Sequence, residues 1–575
     1  MRIERRDVVS GVHLGDEMHP LVARIYAARG VNSVDELDHS LGNLHSYASL
    51  KDIDKAVDLL VQALLEKQRI LIVGDFDADG ATSCALAVLG LRALGASEVD
   101  YLIPNRFEFG YGLSPEIVEV AMAWSPHLLV TVDNGISSLT GVRAARAQGV
   151  KVLITDHHLP GPKLPDANAV VNPNQVGCEF PSKCIAGVGV MFYVLLALRA
   201  KLRERGWFES QSLTELNLAE FLDLVALGTV ADVVALDQNN RRLVSQGLAR
   251  IRAGRCRPGI SALLRVAGRD REQVVASDMG FSVAPRLNAA GRLTDMARGV
   301  ECLLSDDAST ALAMAGELDK LNQQRRSIEA DMQEQAVASL SKLELDDALA
   351  VGLCLFDESW HQGVVGILAS RIKERVHRPV IAFALEDEHT LKGSGRSIAG
   401  FHIRDALQDV SRAHPSLMTQ FGGHAMAAGL TLPRENFDAF CAAFDHEAKR
   451  HLDKSTLEGV INTDGALQPE DMSLNVAEVL RNAGPWGQGF PEPVFDGEFS
   501  VVQSRILKDR HIKLVLGLPS SRRTVEAIQF NGDVDAWHIG VARVRIAYRL
   551  DVNEFRGVRS VNFIVSHLEA TQIKE

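Results

Sequence analysis

The order of apolar and helix-like segments in residues 51–236 limits the folds open to this chain more than any other feature of its sequence. Three short runs of β-branched and other apolar residues, at 69–74, 127–132 and 150–155, are each followed by a turn and a helix-like segment. This alternation is typical of parallel βαβ units, whose strands are buried on both faces. We therefore predict an α/β domain with a parallel sheet over residues 46–305.

The rest of the chain predicts further domains. Residues 317–350 contain neither Gly nor Pro, which favours a long connecting helix, expected over residues 306–345. Its apolar residues recur at spacings compatible with one helical face: Leu318, Leu321, Ile328, Met332 and Leu340. A smaller α/β unit should occupy residues 346–455. Glycines, prolines and β-type runs then predict a small β-barrel over residues 456–575, and residues 1–45 form an N-terminal arm.

Composition excludes several classes of protein. The chain has 575 residues, 46% of them hydrophobic, so it is globular and long enough for roughly three to five domains. Its net charge of −13 excludes a uniformly basic nucleic-acid-binding surface, but not a basic groove on an acidic body. The sequence lacks a secretory signal, an apolar stretch of the ~20 residues that span a bilayer, and any C-x-x-C pair. These features predict a cytoplasmic protein without membrane contact, disulfide framework or structural zinc.

Acidic residues cluster where the predicted strands end. In chain order these ends carry Asp75, Asp77 and Asp79; then Asp133; then Asp156, His157 and His158. A fourth strand end is expected at residues 227–232, which adds Asp232. The carboxyl ends of neighbouring parallel strands line one crevice, so these side chains should converge. One such Asp could simply be a helix N-cap, but three within five residues would repel one another unless cations neutralise them.

The composition of this set favours particular cations. Carboxylate oxygens with one or two imidazoles and no thiolate suit Mg²⁺ or Mn²⁺ better than Zn²⁺. Two such ions, about 4 Å apart, would suit an in-line displacement at phosphorus. The sequence therefore indicates a two-metal site for phosphoryl chemistry.

The strand-end segments resemble the motifs of the DHH phosphoesterase superfamily. They are Asp75-Phe-Asp-Ala-Asp-Gly80, Val132-Asp-Asn-Gly135 and Thr155-Asp-His-His158. Pro285-Arg-Leu-Asn-Ala-Ala-Gly-Arg292 is similar to the motif of its RecJ branch, the single-strand-specific exonucleases. Three motifs of the accessory DHHA1 type follow: Ser359-Trp-His-Gln-Gly-Val-Val-Gly366, Gly393-Ser-Gly-Arg-Ser397 and Phe421-Gly-Gly-His-Ala-Met-Ala-Ala-Gly429. The resemblance covers residues 45–575 and implies a DHH domain, a long helix, a DHHA1 domain and an OB-type barrel.

The resemblance also implies an activity. It is a metal-dependent exodeoxyribonuclease that degrades single-stranded DNA in the 5′→3′ direction, releases 5′-mononucleotides, and acts in recombination and repair. Two Mg²⁺ or Mn²⁺ ions would be its cofactors. Single-stranded DNA would be its substrate, single-strand-binding protein and a helicase its protein partners, and a monomer its state.

Roles for individual residues follow from the same resemblance. The implied metal ligands are Asp75, Asp77, Asp79, Asp133, His157 and Asp232. Asp133 would bridge the ions, and Asp75 would bind directly or through water. In the catalytic set, which also includes Asp133, His158 would contact the scissile phosphate and Asp156 would orient the histidines. The implied substrate contacts are Arg106, Arg286, Asn288, His361, Ser394, Arg396 and His424.

Basic and aromatic residues leave alternatives open. Residues 241–271 hold nine arginines and one acid, Asp270, and could be a solvated helical face or a wall for phosphates. Residues 391–397 could be a phosphate-binding loop or a plain surface turn. In the barrel, residues 505–523 are basic, and Trp486, Phe490 and Phe495 could stack on bases, although core packing is expected for two of the three.

Two other functions compete with the exonuclease. A DHH phosphodiesterase for short oligonucleotides or cyclic dinucleotides would not need the barrel and the arginine-rich stretch. A catalytically degenerate, DNA-binding DHH protein would lose the carboxylates, and this chain keeps all of them.

Overall fold

The structure is a computed structural model that describes residues 1–7, 13–15, 17–344, 349–519, 521–534, 537 and 540–571. It has two compact units. The larger one contains residues 5–320 and 462–575, and the smaller one residues 1–4 and 321–461. None of the helices in the described ranges is long and apolar enough to span a membrane.

Strands and α-helices alternate between residues 70 and 155, whereas helices follow one another from residue 187 to 344 and strands from residue 495 to 570. The strands are β1 Arg2–Arg5, β2 Ile70–Gly74, β3 Val99–Leu102, β4 Leu128–Val132, β5 Lys151–Thr155, β6 Ala169–Val171, β7 Leu353–Phe356, β8 Val380–Leu385, β9 Thr390–Arg396, β10 Gln420–Gly423, β11 Ala427–Pro433, β12 Val460–Thr463, β13 Phe495–Leu507, β14 His511–Gly517, β15 Thr524–Gln529, β16 Arg543–Phe555 and β17 Val558–Ala570. The helices are α1 Pro20–Ala27, α2 Ile53–Leu65, α3 Ala78–Ala93, α4 Pro115–Ala121, α5 Leu139–Ala147, α6 Gly187–Glu204, α7 Trp207–Ser210, α8 Leu222–Ala231, α9 Gln238–Arg252, α10 Pro258–Val266, α11 Ala276–Asp278, α12 Ala284–Leu293, α13 Ala297–Leu304, α14 Ala308–Glu344, α15 Val365–Val376, α16 Ile403–Ala413, α17 Phe437–His451 and α18 Leu474–Asn482.

The larger unit contains the predicted parallel sheet. Its order is β3-β2-β4-β5-β6, and every neighbouring pair is parallel. Residues of β2, β4 and β5 pack with α4 and α5 in one buried cluster. The chain adds β3 on one side of β2 and β4 on the other, so the strand order reverses between β2 and β4. In parallel sheets the crevice outside the carboxyl ends at such a point is where ligands bind.

The predicted fourth strand end is wrong. Residues 227–231 lie in α8, and Asp232 follows its last residue. The segment from Leu222 to Thr229 is buried on all sides of the helix. A short apolar run has the same composition in a buried helix as in a buried strand, so periodicity did not separate the two.

Part of the arginine-rich stretch is internal, although Arg255, Arg265 and Arg269 are exposed. Arg241 and Arg242 are buried, with guanidinium groups that donate to the carbonyl oxygens of Leu236 (3.0 Å) and Asp38 (3.1 Å). Arg257 lies 4.6 Å from the centre of the Phe221 ring. Arg241, Arg242 and Arg257 therefore fit neither alternative, the solvated helical face or the phosphate wall.

The C-terminal domain of the larger unit is a closed five-stranded barrel. Its order is β13-β14-β15-β17-β16, with β13 also paired to β16 and one parallel pair, β15 and β17. Phe495 lies in its core, where Tyr548 stacks on Phe563 with ring centres 4.2 Å apart. Phe490 is also buried, as expected for two of the three aromatic candidates, and Trp486 stacks against it at 5.1 Å.

The smaller unit contains a mixed sheet of order β10-β11-β9-β8-β7, in which only β7 and β8 are parallel. The predicted loop at residues 391–397 is wrong, because all but the last of these residues lie in β9. Its glycines serve packing: a Cβ on Gly393 would lie 2.5 Å from the Phe383 ring, and one on Gly395 would lie 2.5 Å from Ile403. The predicted long helix is confirmed as α14, with Leu318 and Met332 buried.

Candidate active site

The turn between β2 and α3 gathers three carboxylates within five residues. Asp77 is the N-cap of α3 and accepts a hydrogen bond from the Gly80 backbone N–H (3.0 Å), while Asp79 lies in the first helical turn. A Cβ on Gly80 would lie only 2.4 Å from the backbone oxygen of Asp75. Glycine at this position therefore permits the tight turn that holds the Asp75 backbone against the start of the helix.

Asp79 is anchored by the start of α6. Its Oδ2 accepts the N–H of Gly187 (2.7 Å) and its Oδ1 the N–H of Val188 (3.0 Å). Unpaired N–H groups and the positive end of the helix dipole both favour a carboxylate here. The side chain is 1% exposed, so these two bonds fix its position.

Asp133 follows β4 in a strained conformation. Its φ is 61°, in the left-handed region that few non-glycine residues adopt, and its backbone N–H donates to the Thr155 oxygen of β5 (3.0 Å). The next side chain, Asn134, donates from Nδ2 to the backbone oxygens of Val73 (3.0 Å) and Val132 (2.9 Å). This amide ties the ends of β2 and β4 together and so holds Asp133 beside the first turn. Strain of about 1–3 kcal/mol at such a residue is typical of functional sites.

Asp156, after β5, holds the two histidines. Its Oδ1 accepts the backbone N–H groups of His157 (2.7 Å) and His158 (3.1 Å) and lies 2.8 Å from His158 Nδ1. Its Oδ2 accepts the N–H of Ile136 (2.9 Å). Asp156 is fully buried and its oxygens are already used by these donors, which suits a positioning role.

The ends of β2, β4, β5 and α8 converge on one point. His157 Nε2 lies 3.1 Å from Asp133 Oδ1 and 3.4 Å from Asp232 Oδ2. Three sets of side chains bring ligand atoms within 4.8 Å of one another: Asp75, Asp77 and Asp133; Asp79, His157 and Asp232; and Asp133, His157 and His158. All six metal ligands implied by the sequence are in these sets, and Asp133 and His157 each belong to two.

Without bound cations, burial makes the charged forms of these carboxylates unfavourable. Burial and the neighbouring Asp77 raise the pKa of Asp79 to about 7. Burial and repulsion from nearby carboxylates raise the pKa of Asp75, Asp133 and Asp232 well above the ordinary value. Within the described part of the chain, no hydrogen bond reaches the buried Oδ1 of Asp133 or Oδ2 of Asp232. Divalent cations would satisfy these oxygens and neutralise the repulsion, so the residues fit such ions.

In the pair formed by Asp156 and His158, by contrast, the contact between the two side chains favours their charged forms. Burial tends to lower the pKa of His158, but the hydrogen bond and charge of Asp156 raise it to about 9. Burial tends to raise the pKa of Asp156, but the contact with His158 leaves it below the ordinary value. An imidazolium held by a carboxylate therefore lies beside the candidate metal site.

Two predicted substrate contacts, Arg106 and Asn288, lie at the turn after β2, and a third, Arg286, lies on the same helix as Asn288. The Arg106 guanidinium is 4.6 Å from the centre of the Phe76 ring. Asn288, on α12, accepts the Ala78 N–H (2.8 Å) through Oδ1, and so supports the start of α3. Arg286, on the same helix, forms an ion pair with Asp319 (2.8 Å).

The other four predicted contacts lie in the smaller unit. Arg396 donates to Ser394 Oγ (3.1 Å), and both side chains lie against Gly366, where a Cβ would be 2.8 Å from Ser394 Oγ. His361 Nδ1 accepts the N–H of Gly363 (3.0 Å), shortly before α15. His424 is exposed in the turn between β10 and β11.

The sequence reasoning missed Tyr111. Its hydroxyl lies 3.1 Å from His158 Nδ1 and 3.4 Å from the Asp133 backbone oxygen, and its ring meets His158 edge-on. The only signal was local: Gly110 and Gly112 flank it, and both have positive φ. Two such glycines around an aromatic residue indicate a shaped loop, but they do not indicate what the ring contacts.

Gly187 should be intolerant of any side chain. A Cβ there would lie 2.6 Å from Asp133 Cβ, so Gly187→Ala is expected to displace Asp133 and lower the rate of the phosphoryl chemistry expected at this site by about 10²-fold. Gly316→Ala is the matched control, because that helical glycine has open space around it. Initial rates and melting temperatures check both variants. Full activity in Gly187→Ala would show that the position of Asp133 matters little.

Models of three protein families match the chain. The DHH family N-terminal domain matches residues 69–229, the DHHA1 domain residues 346–450, and the RecJ OB domain residues 463–567. The first match ends just before Asp232 and contains the other five candidate ligands.

Relatives and solved structures agree with these matches. The chain is 56% identical over 566 residues, 98% of each chain, to the single-stranded-DNA-specific exonuclease RecJ of Dickeya dadantii, and 54% identical, over 99% of each chain, to that of Escherichia coli. The structure of Thermus thermophilus RecJ with Mn²⁺ matches with a TM-score of 0.78 at 32% identity, over 99% of this chain and 79% of that one. Its Mg²⁺ complex matches with a TM-score of 0.73 at 30% identity, over 99% and 78%. The chain therefore belongs to the RecJ family of single-stranded-DNA-specific exonucleases.

Proposed function

We propose that this chain is a metal-dependent exonuclease that hydrolyses single-stranded DNA in the 5′→3′ direction and releases 5′-mononucleotides. The observation that carries this proposal is the convergence of five carboxylates and His157 on one point at the ends of β2, β4, β5 and α8. We further propose that it acts in recombination and repair in the cytoplasm, as a monomer, with a single-strand-binding protein and a helicase as partners. We also propose the domain limits expected from the sequence: an N-terminal arm at 1–45, a DHH domain at 46–305, a long helix at 306–345, a DHHA1 domain at 346–455 and an OB-type barrel at 456–575.

We propose two groups of ligands for two Mg²⁺ or Mn²⁺ ions. Asp79, His157 and Asp232 would hold one ion, and Asp75, Asp77 and Asp133 the other, with Asp133 also close enough to His157 to bridge them. Ions bound there would supply activation of a water molecule and stabilisation of the leaving oxygen. Gly187, through its N–H bond to Asp79, would keep the first group in place.

His158 and Asp156 would act on the substrate phosphate. Asp156 Oδ1, 2.8 Å from His158 Nδ1, fixes the ring and favours its protonated form. A positively charged His158 would then stabilise negative charge on the phosphate during displacement. The Tyr111 hydroxyl, 3.1 Å from the same nitrogen, would limit rotation of the ring.

The predicted substrate-binding residues differ in whether they would have to break an existing contact to bind a phosphate. Burial lowers the pKa of Arg106, and the charges of the nearby Asp75 and Asp77 oppose that shift, so Arg106 could approach a phosphate bound there directly. Arg286 would have to exchange its ion pair with Asp319 for a phosphate. We propose phosphate or backbone contacts for Ser394 and Arg396, and substrate contacts for Asn288, His361 and His424.

Digestion of one strand labelled at either end tests the activity and its direction. With Mg²⁺ or Mn²⁺, a 5′ label should appear at once as mononucleotide, while a 3′ label should remain on a strand that shortens progressively. EDTA should abolish both reactions, because the ligand groups would be empty. The same strand in a duplex is the control and should stay intact.

Three results would contradict the proposal. Early release of the 3′ label would reverse the direction, and hydrolysis in EDTA would remove the metal ions from the mechanism. Faster turnover of a dinucleotide than of a long strand would favour a phosphodiesterase for small substrates.

A further inference from the structure

One aromatic side chain beside the site has almost no protein contact. Phe281 is 85% exposed, and no other large apolar side chain in the described ranges is more exposed. It lies in a π-helical turn, Met279–Val283, directly before α12. Turns of this kind are rare and frequently occur at functional sites. An exposed phenyl ring contributes nothing to the core, and its face is open to a ligand.

The π-helical turn packs against the helix that ends at the candidate metal site. A Cβ on Gly280 would lie 3.2 Å from Val230 Cγ1, so the turn touches the last part of α8, just before Asp232. At its other end the turn continues into α12, whose Asn288 binds the start of α3. Phe281 therefore projects from a segment packed between the elements that carry Asp232 and Asp77.

Val233, just after the end of α8, is a second exposed residue with an unfavourable conformation. It follows Asp232, is 64% exposed, and has a φ of 59°. A β-branched residue in the left-handed region is a genuine outlier, and glycine would remove the strain. An exposed, strained valine next to a candidate metal ligand is better explained by a ligand contact than by folding.

A cationic group completes this surface. Arg269 donates from Nε to the Oγ of Ser282 (3.0 Å), the residue after Phe281, and its side chain is 51% exposed. Its partner Asp278 lies 3.3 Å away at the start of the same segment. An exposed aromatic ring and a partly exposed guanidinium that contacts the same turn suit a ligand that carries both flat rings and negative charge, which is the chemistry of a nucleic-acid strand.

We propose that Phe281, with Val233 and Arg269 beside it, forms a stacking surface for an unpaired base of the DNA strand held at the metal site. This inference rests on the proposed function and extends it to substrate selection. In a duplex, base pairing holds each base in line with its partner, whereas an unpaired base in a single strand can turn one face to an aromatic ring. The stacking surface thus favours single-stranded over duplex substrate next to the hydrolysed bond.

Steady-state kinetics on two kinds of strand test this proposal. In Phe281→Ala the KM for a normal single strand should rise by about 5- to 150-fold, the range for loss of one base–aromatic stack. A set of strands with one abasic site, moved stepwise from the 5′ end, supplies the second substrate. At one position the abasic site should raise the KM of the wild type, and there Phe281→Ala should add nothing further.

Companion variants separate stacking from folding. Phe281→Trp should keep the KM within about 2-fold, because a larger ring stacks as well. Val233→Gly should raise the KM by a smaller factor without lowering the melting temperature, because it removes strain. Trp124→Ala is the matched aromatic control. Trp124 is 38% exposed and lines a cavity of about 250 Å³ at the amino ends of β2 and β3, the sheet edge opposite to the candidate metal site. The KM of this variant should therefore equal that of the wild type.

The KM values distinguish a DNA contact at Phe281 from a contact with a protein partner. A normal KM in Phe281→Ala, or a rise of the same size on every abasic strand, would overturn the stacking surface and leave a protein partner as the occupant of Phe281. If the wild type hydrolyses none of the strands, the proposed function itself fails. Hydrolysis with an unchanged KM in the variant would overturn only the inference made here.

Discussion

Replacing Asp133 by asparagine is expected to abolish hydrolysis of single-stranded DNA while the protein remains folded. Asparagine keeps the shape of the side chain and tolerates the left-handed φ of 61°, but it cannot supply a charged oxygen to two ions. Losing this stabilisation of the transition state should lower the rate by about 10³-fold or more. Initial rates on a 5′-labelled strand with Mn²⁺ measure the effect, and binding of the strand should persist.

Stability distinguishes a functional from a structural role for this residue. Burial and repulsion raise the pKa of Asp133, so its charge opposes folding when no cation is bound. In metal-free protein, Asp133→Asn should therefore unfold at the same urea concentration as the wild type or at a higher one. Asp223→Asn is the control: the two oxygens of this buried Asp accept the N–H groups of Leu224 (2.8 Å) and Arg257 (2.8 Å), and an amide cannot accept both. Its substitution should therefore lower stability without a change in rate per folded molecule. Near-normal hydrolysis in Asp133→Asn would contradict the proposed metal site.

Of the variants proposed, Arg29→Ala is expected to lower the free energy of unfolding the most. Arg29, in the N-terminal arm just after α1, pairs with Asp464 at 2.7 Å, and the two side chains are 1% and 2% exposed. It also donates to the Pro491 backbone oxygen (2.7 Å), in the segment that leads into the barrel. Removing one member of a buried pair leaves the other charge uncompensated, which costs about 3–5 kcal/mol. Urea unfolding should show a loss of that size.

Two further variants isolate the buried pair. Arg24→Ala, which removes an exposed hydrogen bond to the Asp464 backbone oxygen (3.0 Å), should cost less than about 1 kcal/mol. Asp464→Asn, added to Arg29→Ala, should recover part of the loss, because no buried charge then remains. If Arg29→Ala and Arg24→Ala lower stability equally, the ion pair does not hold the arm to the segment before the barrel.

The candidate metal site could be predicted because sheet geometry brings its residues together. Parallel strands all end at one edge, so acidic residues after β2, β4 and β5 had to converge whatever the details of the loops. Asp232 lies at the same point, 3.4 Å from His157, but it follows a helix and not the predicted strand. The local sequence indicated a carboxylate ligand at this position. Whether a strand or a helix precedes it depended on packing around α8.

Other residues could not be assigned because their roles depend on distant contacts. Gly393 and Gly395 look like a phosphate-binding loop in sequence, but they make room for Phe383 and Ile403 beneath β9. Arg241 looks like a surface cation, yet it lies over the buried Phe490 ring at 4.3 Å, more than two hundred residues away in sequence. Such pairings arise from tertiary packing, which composition and periodicity do not encode.

The number of Mn²⁺ ions bound by the folded chain tests the central claim most directly. Calorimetric titration of metal-free protein should show two ions per wild-type chain and fewer than two in Asp133→Asn, because Asp133 belongs to two of the three sets of ligand atoms. A folded wild type that binds no Mn²⁺, or an Asp133→Asn variant that binds two ions as tightly as the wild type, would contradict it.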